Sequence, residues 1–231
     1  MAIAFVTYNI HSCLGVDQQW LPSRIANLIH GFRADVVALQ EVGWHLRGRK
    51  FFDQFQYFAE HSGFHVTEGP VKQRVDAHFG NATLTRAPPL ATRLIDLTMS
   101  NHTPRGAVEV DVDVRGERIR VVNLHLGLTP WERRVQIHRV IDELERDPDT
   151  PTVVMGDFNH WRPGSDSMDK LSRLLPLVVQ SETWPTRMPI APFDRICASP
   201  HFRLVDQKVI RTEETRQASD HYPLMARLAL A

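Results

Sequence analysis

Seven short polar clusters punctuate this chain, each set beside an apolar run. They are Asn9 in TYNIH, Glu41 in LQEV, Arg105 in PRGAVEV, His125 in NLHLG, Asp157 with Asn159 in GDFN, Asp194 in FDRI, and Asp220 with His221 in SDH. An apolar run read as a buried strand carries the polar residue at its end to the edge of a sheet, where α/β sites form. Together the clusters hold carboxylates, amides, imidazoles and one guanidinium. Hard cations take oxygen ligands of this kind, and phosphate oxygens take charge-assisted donors. The pattern points to metal-assisted hydrolysis of phosphate esters.

Composition narrows the field. At 231 residues with 42% apolar content, the chain suits one large domain or at most two small ones. No long uninterrupted apolar segment is present, so no membrane span is expected. The start, MAIAFVTYNI, lacks a basic region and a small-residue cleavage site and reads as a first strand, with a cytoplasmic location as the default expectation. Cys13 and Cys197 have no metal-type spacing and are expected to be reduced thiols. The formal net charge is zero, whereas nucleic-acid binders usually carry a basic excess. Neutrality weakens a nucleic-acid partner without excluding one.

Periodicity supplies the elements. Residues 3–10 and 35–40 read as strands, and a helix begins at Pro22 with Ile25, Leu28, Ile29 and Phe32 at helical spacing. Residues 51–61 read as a helix with Phe51, Phe55 and Phe58 on one side. Strands are expected at 65–67, 81–85 and 107–114; the last alternates Val108, Val110, Val112 and Val114 with acids. Arg115-Gly116-Glu117 suits a hairpin turn into residues 119–124. Thr129-Pro130-Trp131-Glu132 is a capping box, predicting a helix to about Arg146. Its inward face is read as Trp131, Val135, His138, Ile141 and Leu144, with His138 a core histidine. Residues 152–155 read as a strand, 167–175 as a short helix and 181–193 as irregular. Strands at 195–198, 204–211 and 223–230 close the chain. This order fits an α/β domain with two packed sheets and outer helices.

Taken singly, most cluster residues are as well explained by turns and caps. Glu41 follows VVALQ and Asp157 follows TVVMG, which brings both carboxylates to sheet edges. Gly156 permits an unusual backbone before Asp157, and Asn159 follows two residues later. His221 is a natural general base near neutral pH if a carboxylate holds its other nitrogen. Adjacent residues on an extended chain point opposite ways, so Asp220 is a poor orienter and Asp194 the better candidate. Asn9 can bind a metal or hold a metal-bound carboxylate. His125 and Arg105 can meet phosphate oxygens.

In their order and wording, TYNIH, LQEV, RGAVEV, NLHLG, GDFN, FDRI and SDHYPL resemble the endonuclease/exonuclease/phosphatase superfamily, over nearly the whole chain. GNATLTR, HLGL, GDFNHWR and TWP…DRI resemble an uncharacterised bacterial branch of it. The resemblance implies a four-layer αββα sandwich of two packed mixed sheets, forming one domain over residues 1–231. It implies Mg²⁺ or Mn²⁺ held by Glu41 with Asn9 beside it and Asp220 nearby. Asp157 would align or activate water, Asn159 would bind a phosphate oxygen, and His221 paired with Asp194 would be the base or a donor to the phosphoryl oxygen. His125 matches a second catalytic histidine. Arg105 stands where some DNA-repair members carry a tyrosine, which argues against abasic-site repair.

Two segments bear on the substrate. The basic stretch 44–50 (WHLRGRK) reads as a solvated loop able to meet extra phosphates, and 188–193 (MPIAPF) is apolar, suiting ordinary packing or a lipid or aromatic leaving group. A phosphodiesterase acting on a small or lipid-like substrate is the expected function. A Mg²⁺-dependent DNA nuclease is the close alternative, and a degenerate binding module is the alternative of another class.

Overall fold

In the computed structural model, residues 2–47, 50–74, 77–114, 116–161 and 165–231 are described, without the side chains of 44–51 and 72–78. The strands are β1 (Ile3–Asn9), β2 (Val36–Arg47), β3 (Lys50–Asp53), β4 (His65–Arg74), β5 (Ala77–Thr85), β6 (Ala91–Asp96), β7 (Gly106–Val114), β8 (Glu117–His125), β9 (Thr152–Asp157), β10 (Leu177–Gln180), β11 (Asp194–Ala198), β12 (Phe202–Val209) and β13 (Leu224–Leu230). The helices are α1 (Pro22–Gly31), α2 (Gln54–His61), α3 (Pro130–Leu144), α4 (Asp166–Leu174) and α5 (Glu213–Ala218).

One sheet runs β12-β13-β1-β2-β5-β4, with β3 paired to β2; the other runs β10-β11-β9-β8-β7-β6. Both are mixed. Each contains one parallel pair, β1/β2 and β8/β9, joined by a crossover helix, α1 in the first and α3 in the second. Alternate residues face between the sheets. Phe5, Val36, Ala38, Ala226 and Leu228 of the first pack there against Val110, Val121, Val153, Met155 and Ile196 of the second. Ile25, Ile29, Phe55 and Phe58 cover the outer face of the first sheet, and Ile137, Val140, Ile141, Leu144, Met168 and Leu171 that of the second. The result is four layers, αββα.

A polar bridge crosses the middle of this core. The fully buried Asn123 donates to the carbonyls of Leu39 (3.1 Å) and Ala82 (3.0 Å) and accepts from Gln40 Nε2 (2.8 Å). Asn123 belongs to one sheet and all three partners to the other, so the bridge sets how the sheets align. No helix among the described residues is long and apolar enough to cross a membrane.

The structure corrects several sequence expectations. The capping box at Thr129 and Glu132 is present, but α3 buries Gln136, Ile137, Val140, Ile141 and Leu144. Trp131 is 61% exposed. His138 bonds the carbonyl of Arg134 instead of entering the core. The face is rotated because Gln136 is drawn inward to the amide of Gly127 and the carbonyl of Leu97. The aromatic helix begins at Gln54, since Asp53 caps it by accepting from the amides of Phe55 and Gln56. In place of the expected loop, residues 44–47 continue β2 and Lys50 opens β3, which pairs antiparallel with it; residues 48–49, the side chains of the stretch and Arg115 lie outside the described residues. Strands β6 and β10 and helix α5 have no counterpart in the sequence reading.

Asn123→Leu keeps the volume and takes the donor from two core carbonyls, those of Leu39 and Ala82, while Gln40 Nε2 keeps the Thr7 hydroxyl and the Ala38 carbonyl. Each orphaned group costs about 1–3 kcal/mol. Urea unfolding of this variant is expected to show a loss of roughly 3 kcal/mol or more; a loss below about 1 kcal/mol would show that the bridge is not a structural pin.

Candidate active site

The polar clusters meet at one end of the sandwich because strand register brings them there. Asp157 lies opposite His125 on β8 and opposite Asp194 on β11. Val153, Met155 and Asp157 alternate onto the inner face, as do Asn123 and His125 on the neighbouring strand. Gly156 has φ of +149°, and a Cβ there would overlap the Leu124 carbonyl, which accounts for the glycine of GDFN.

Glu41 arrives differently. It does not follow the end of a strand, as expected, but sits within β2 at a shift in register between Leu39 and Val42. Its φ of +59° is left-handed, a conformation that costs a non-glycine residue roughly 1–2 kcal/mol. This is a β-bulge. Val37, Leu39 and Val42 all face the outer core, so the extra residue turns Glu41 inward next to Gln40. The Ser12 hydroxyl holds the bulge by donating to the Glu41 carbonyl (3.2 Å).

Asn9, at the end of β1, joins the acids. Its Nδ2 donates to Glu41 Oε1 (3.0 Å) and to Asp157 Oδ2 (3.1 Å), while its Oδ1 accepts from the His11 amide (3.0 Å). Asp157 Oδ2 is also 3.5 Å from His125 Nε2 and 3.8 Å from His221 Nε2. Asp157 Oδ1 accepts from the Asn159 amide (2.8 Å), and Asn159 Nδ2 donates to the Leu126 carbonyl. His221 Nδ1 bonds Asp194 Oδ2 at 2.8 Å, not its neighbour Asp220. Asp220 accepts from Trp184 Nε1 (3.1 Å). Asn9, Glu41, Arg105, His125, Asp157, Asn159, Asp220 and His221 all line one cleft of about 630 Å³. Asp194 does not; it is fully buried behind His221.

The two histidines are held in opposite states. Burial, reinforced by the Arg105 guanidinium, pushes His125 down to about 3. Its neutral ring accepts from Arg105 Nη1 at Nδ1 (3.3 Å), which leaves the proton on Nε2, facing Asp157. Burial also acts to lower His221. It is outweighed by the charge and hydrogen bond of Asp194, with Asp157 and Asp220 adding, and the imidazolium is held up to about 10. Burial lowers the pKa of Arg105, whose Nε has no hydrogen-bond partner among the described residues.

Two oxygen-rich groups can be weighed as metal sites. Asp157, Asp194 and His221 place ligand atoms within 4.8 Å of one another. Asp194 Oδ2 is already taken by His221 and by the Thr183 hydroxyl, so that group works better as a proton-holding pair. Glu41 and Asp220 are less buried, face the cleft and offer hard oxygen donors, which fits a divalent cation. Asn9 presents its nitrogen to the carboxylates and so organises them.

Sequence reasoning missed the supporting residues. Thr183 holds Asp194, Trp184 holds Asp220, and the Ser219 hydroxyl donates to the Asn9 carbonyl (2.7 Å) while accepting from the His221 amide. Ser219 was visible as the first letter of SDH. Thr183 and Trp184 sit in the segment read only as irregular. Phe193 of MPIAPF stacks on Trp184 and lines the cleft, and Ala191 is buried, whereas Met188 and Ile190 are exposed, so ordinary packing describes only the second half of that segment.

Residues 6–221 match the model of the Endonuclease/Exonuclease/phosphatase family. A curated relative, the uncharacterized protein YbhP of Escherichia coli strain K12, is 24% identical over 97% of this chain and 95% of its own length. An endonuclease/exonuclease/phosphatase structure from Beutenbergia cavernae is similar with a TM-score of 0.81 and 23% identity, over 100% of this chain and 72% of that one. D. rerio TDP2 complexed with a single-strand DNA product matches with a TM-score of 0.74 and 18% identity, over 99% of each chain.

The His221–Asp194 pair has a pH signature in metal-free protein. A histidine raised to about 10 when folded contributes stability that is fully present below its unfolded pKa, about 6.5, and is lost as pH rises through about 10. The stability gap between wild type and Asp194→Asn is therefore expected to be widest near pH 6 and to narrow toward pH 10. Denaturant titrations with chelator present check this; a gap that is flat with pH contradicts the charged pair.

Proposed function

This chain belongs to the endonuclease/exonuclease/phosphatase family, and from that premise we propose that it hydrolyses a phosphodiester by attack of water, with Mg²⁺ or Mn²⁺ as its cofactor. The observation carrying this reading is the convergence of Asn9, His125 and His221 on one oxygen of Asp157, beside Glu41, in a single cleft.

Glu41, with Asp220 and with Asn9 at its side, would hold the cation, which when bound supplies charge to the phosphoryl oxygens and a template for the ester. Asp157 orients the nucleophilic water and accepts its proton; Asn9 and the Asn159 amide keep its carboxylate aimed. His221, fixed by Asp194, donates from Nε2 to a phosphoryl oxygen as negative charge grows there. Neutral His125 donates from Nε2, and Arg105 behind it adds positive charge to the phosphate site. Asn159 completes the phosphate side of the cleft.

The cleft rim supports a small or lipid-like ester. Leu128, Trp161, Trp184 and Phe193 line the opening, so an apolar substituent has a surface to lie on. A nucleic-acid substrate is the second reading. The DNA-product complex of D. rerio TDP2 favours it, and tryptophans at a cleft mouth can stack on bases. The zero net charge opposes it. A degenerate binding module is disfavoured because every residue of the cluster is intact.

Turnover of bis(p-nitrophenyl) phosphate is expected with Mg²⁺ or Mn²⁺. Glu41→Gln, Asp157→Asn and His221→Ala are each expected to cost roughly a hundredfold or more in kcat. Rates unchanged by excess chelator would sink the metal mechanism, and no turnover of any phosphoester would favour the binding module. Phospholipid cleavage and plasmid nicking, run side by side, choose between the substrates; the rim predicts that the lipid is preferred.

A further inference from the structure

Behind the catalytic cleft lies a second cavity of about 310 Å³, lined by His160, Trp161, Ser165, Asp169, Gln180 and Arg195 among others. Trp161 lines both, so one side chain forms the wall between them. Arg195 follows Asp194 on β11. Neighbours on a strand point to opposite faces, so Asp194 enters the catalytic end of the inner face while Arg195 turns outward.

Arg195 is 7% exposed, yet among the described residues no carboxylate lies within ion-pair distance of it. Buried cations are normally paired, because an isolated charge in the interior is costly. Its existing partners are neutral groups and leave its charge unbalanced. Nη2 donates to the His160 carbonyl (2.7 Å) and lies 3.3 Å from His160 Nδ1, and the guanidinium sits 5.8 Å from the Phe158 ring. Among the described residues Nε is shut off from solvent without a partner and Nη1 makes no hydrogen bond, so the guanidinium, which lines the cavity, has donor capacity for a ligand. His160 is pushed down to about 4 by burial and then by the Arg195 charge, so it is neutral and supplies no competing cation. Among the described residues Asp169 is the one carboxylate lining the cavity, and it is exposed on α4.

We propose that this cavity is a subsite for a second anionic group, a phosphate or carboxylate, carried on the same substrate molecule as the scissile ester. The substrate passes Trp161, with its ester at Asp157 and its second anion at Arg195. The inference deepens the phosphodiesterase reading and rests on it.

The test compares two chromogenic esters with one leaving group: thymidine 5′-phosphate p-nitrophenyl ester, with and without a 3′-phosphate. In the wild type the extra phosphate is expected to raise kcat/KM on the order of tenfold, mainly through KM, as one charge-assisted bond provides. In Arg195→Gln the ratio falls to about one, and Arg195→Lys keeps most of it. A wild-type ratio of one overturns the subsite, even if free phosphate binds there. So does a ratio unchanged in Arg195→Gln, including the case in which both esters slow equally because the arginine is only structural. Turnover of neither ester by the wild type is instead the failure of the phosphodiesterase reading. The subsite is then judged without turnover, by the thermal shift that inorganic phosphate produces: a shift smaller in Arg195→Gln than in wild type supports it, and equal shifts overturn it.

Discussion

A single carboxamide ties the candidate active site together. Asn9 spends both N–H bonds on carboxylates, one from Glu41 in its own sheet and one from Asp157 in the other. Two anions brought this close repel each other, and the amide between them fixes their separation and gives each a donor. Its backbone is anchored in turn by Ser219, which also receives the His221 amide. The site's geometry therefore depends on how the two sheets align, and that alignment is set deeper in the core by Asn123 and Gln40. Fold and site are linked through buried amides on paired strands, since Asn9 and Gln40 are register partners on β1 and β2.

Around that link, environment divides labour between chemically identical groups. His125 and His221 both face Asp157 Oδ2 and both are buried. One has a guanidinium behind it and stays neutral; the other has a carboxylate behind it and stays charged. Two Nε2 donors with different charge thus address one acceptor, an arrangement suited to a phosphoryl group whose oxygens gain charge unequally as water attacks. The acids divide similarly. Asp194 is enclosed and serves its histidine, whereas Glu41 and Asp220 open to the cleft and suit a hard cation.

Much of this was legible in the sequence, for identifiable reasons. β1, β7 and β13 are apolar runs or clean alternations that must be buried, and Thr129 with Glu132 is a cap whose chemistry is entirely local. The polar clusters were visible because each interrupts such a run. What escaped depended on partners distant in sequence. β6 is an edge strand with few buried residues, so it leaves little pattern. The bulge at Glu41 exists only in its pairing with β5. Trp131 and His138 were read inward because a helical stripe can be drawn one residue off, and Gln136, a polar residue, decided its true position. Thr183 and Trp184 act on acids 11 and 36 residues away, which no local pattern reports.

On the mechanism proposed above, water aligned by Asp157 attacks phosphorus in a cation-dependent reaction. Hydrolysis of a simple phosphodiester in ¹⁸O-labelled water tests it most directly. One labelled oxygen is expected in each phosphate-bearing product and none in the released alcohol, with product forming only when Mg²⁺ or Mn²⁺ is supplied. Label in the alcohol, or an undiminished rate with excess chelator, would contradict it.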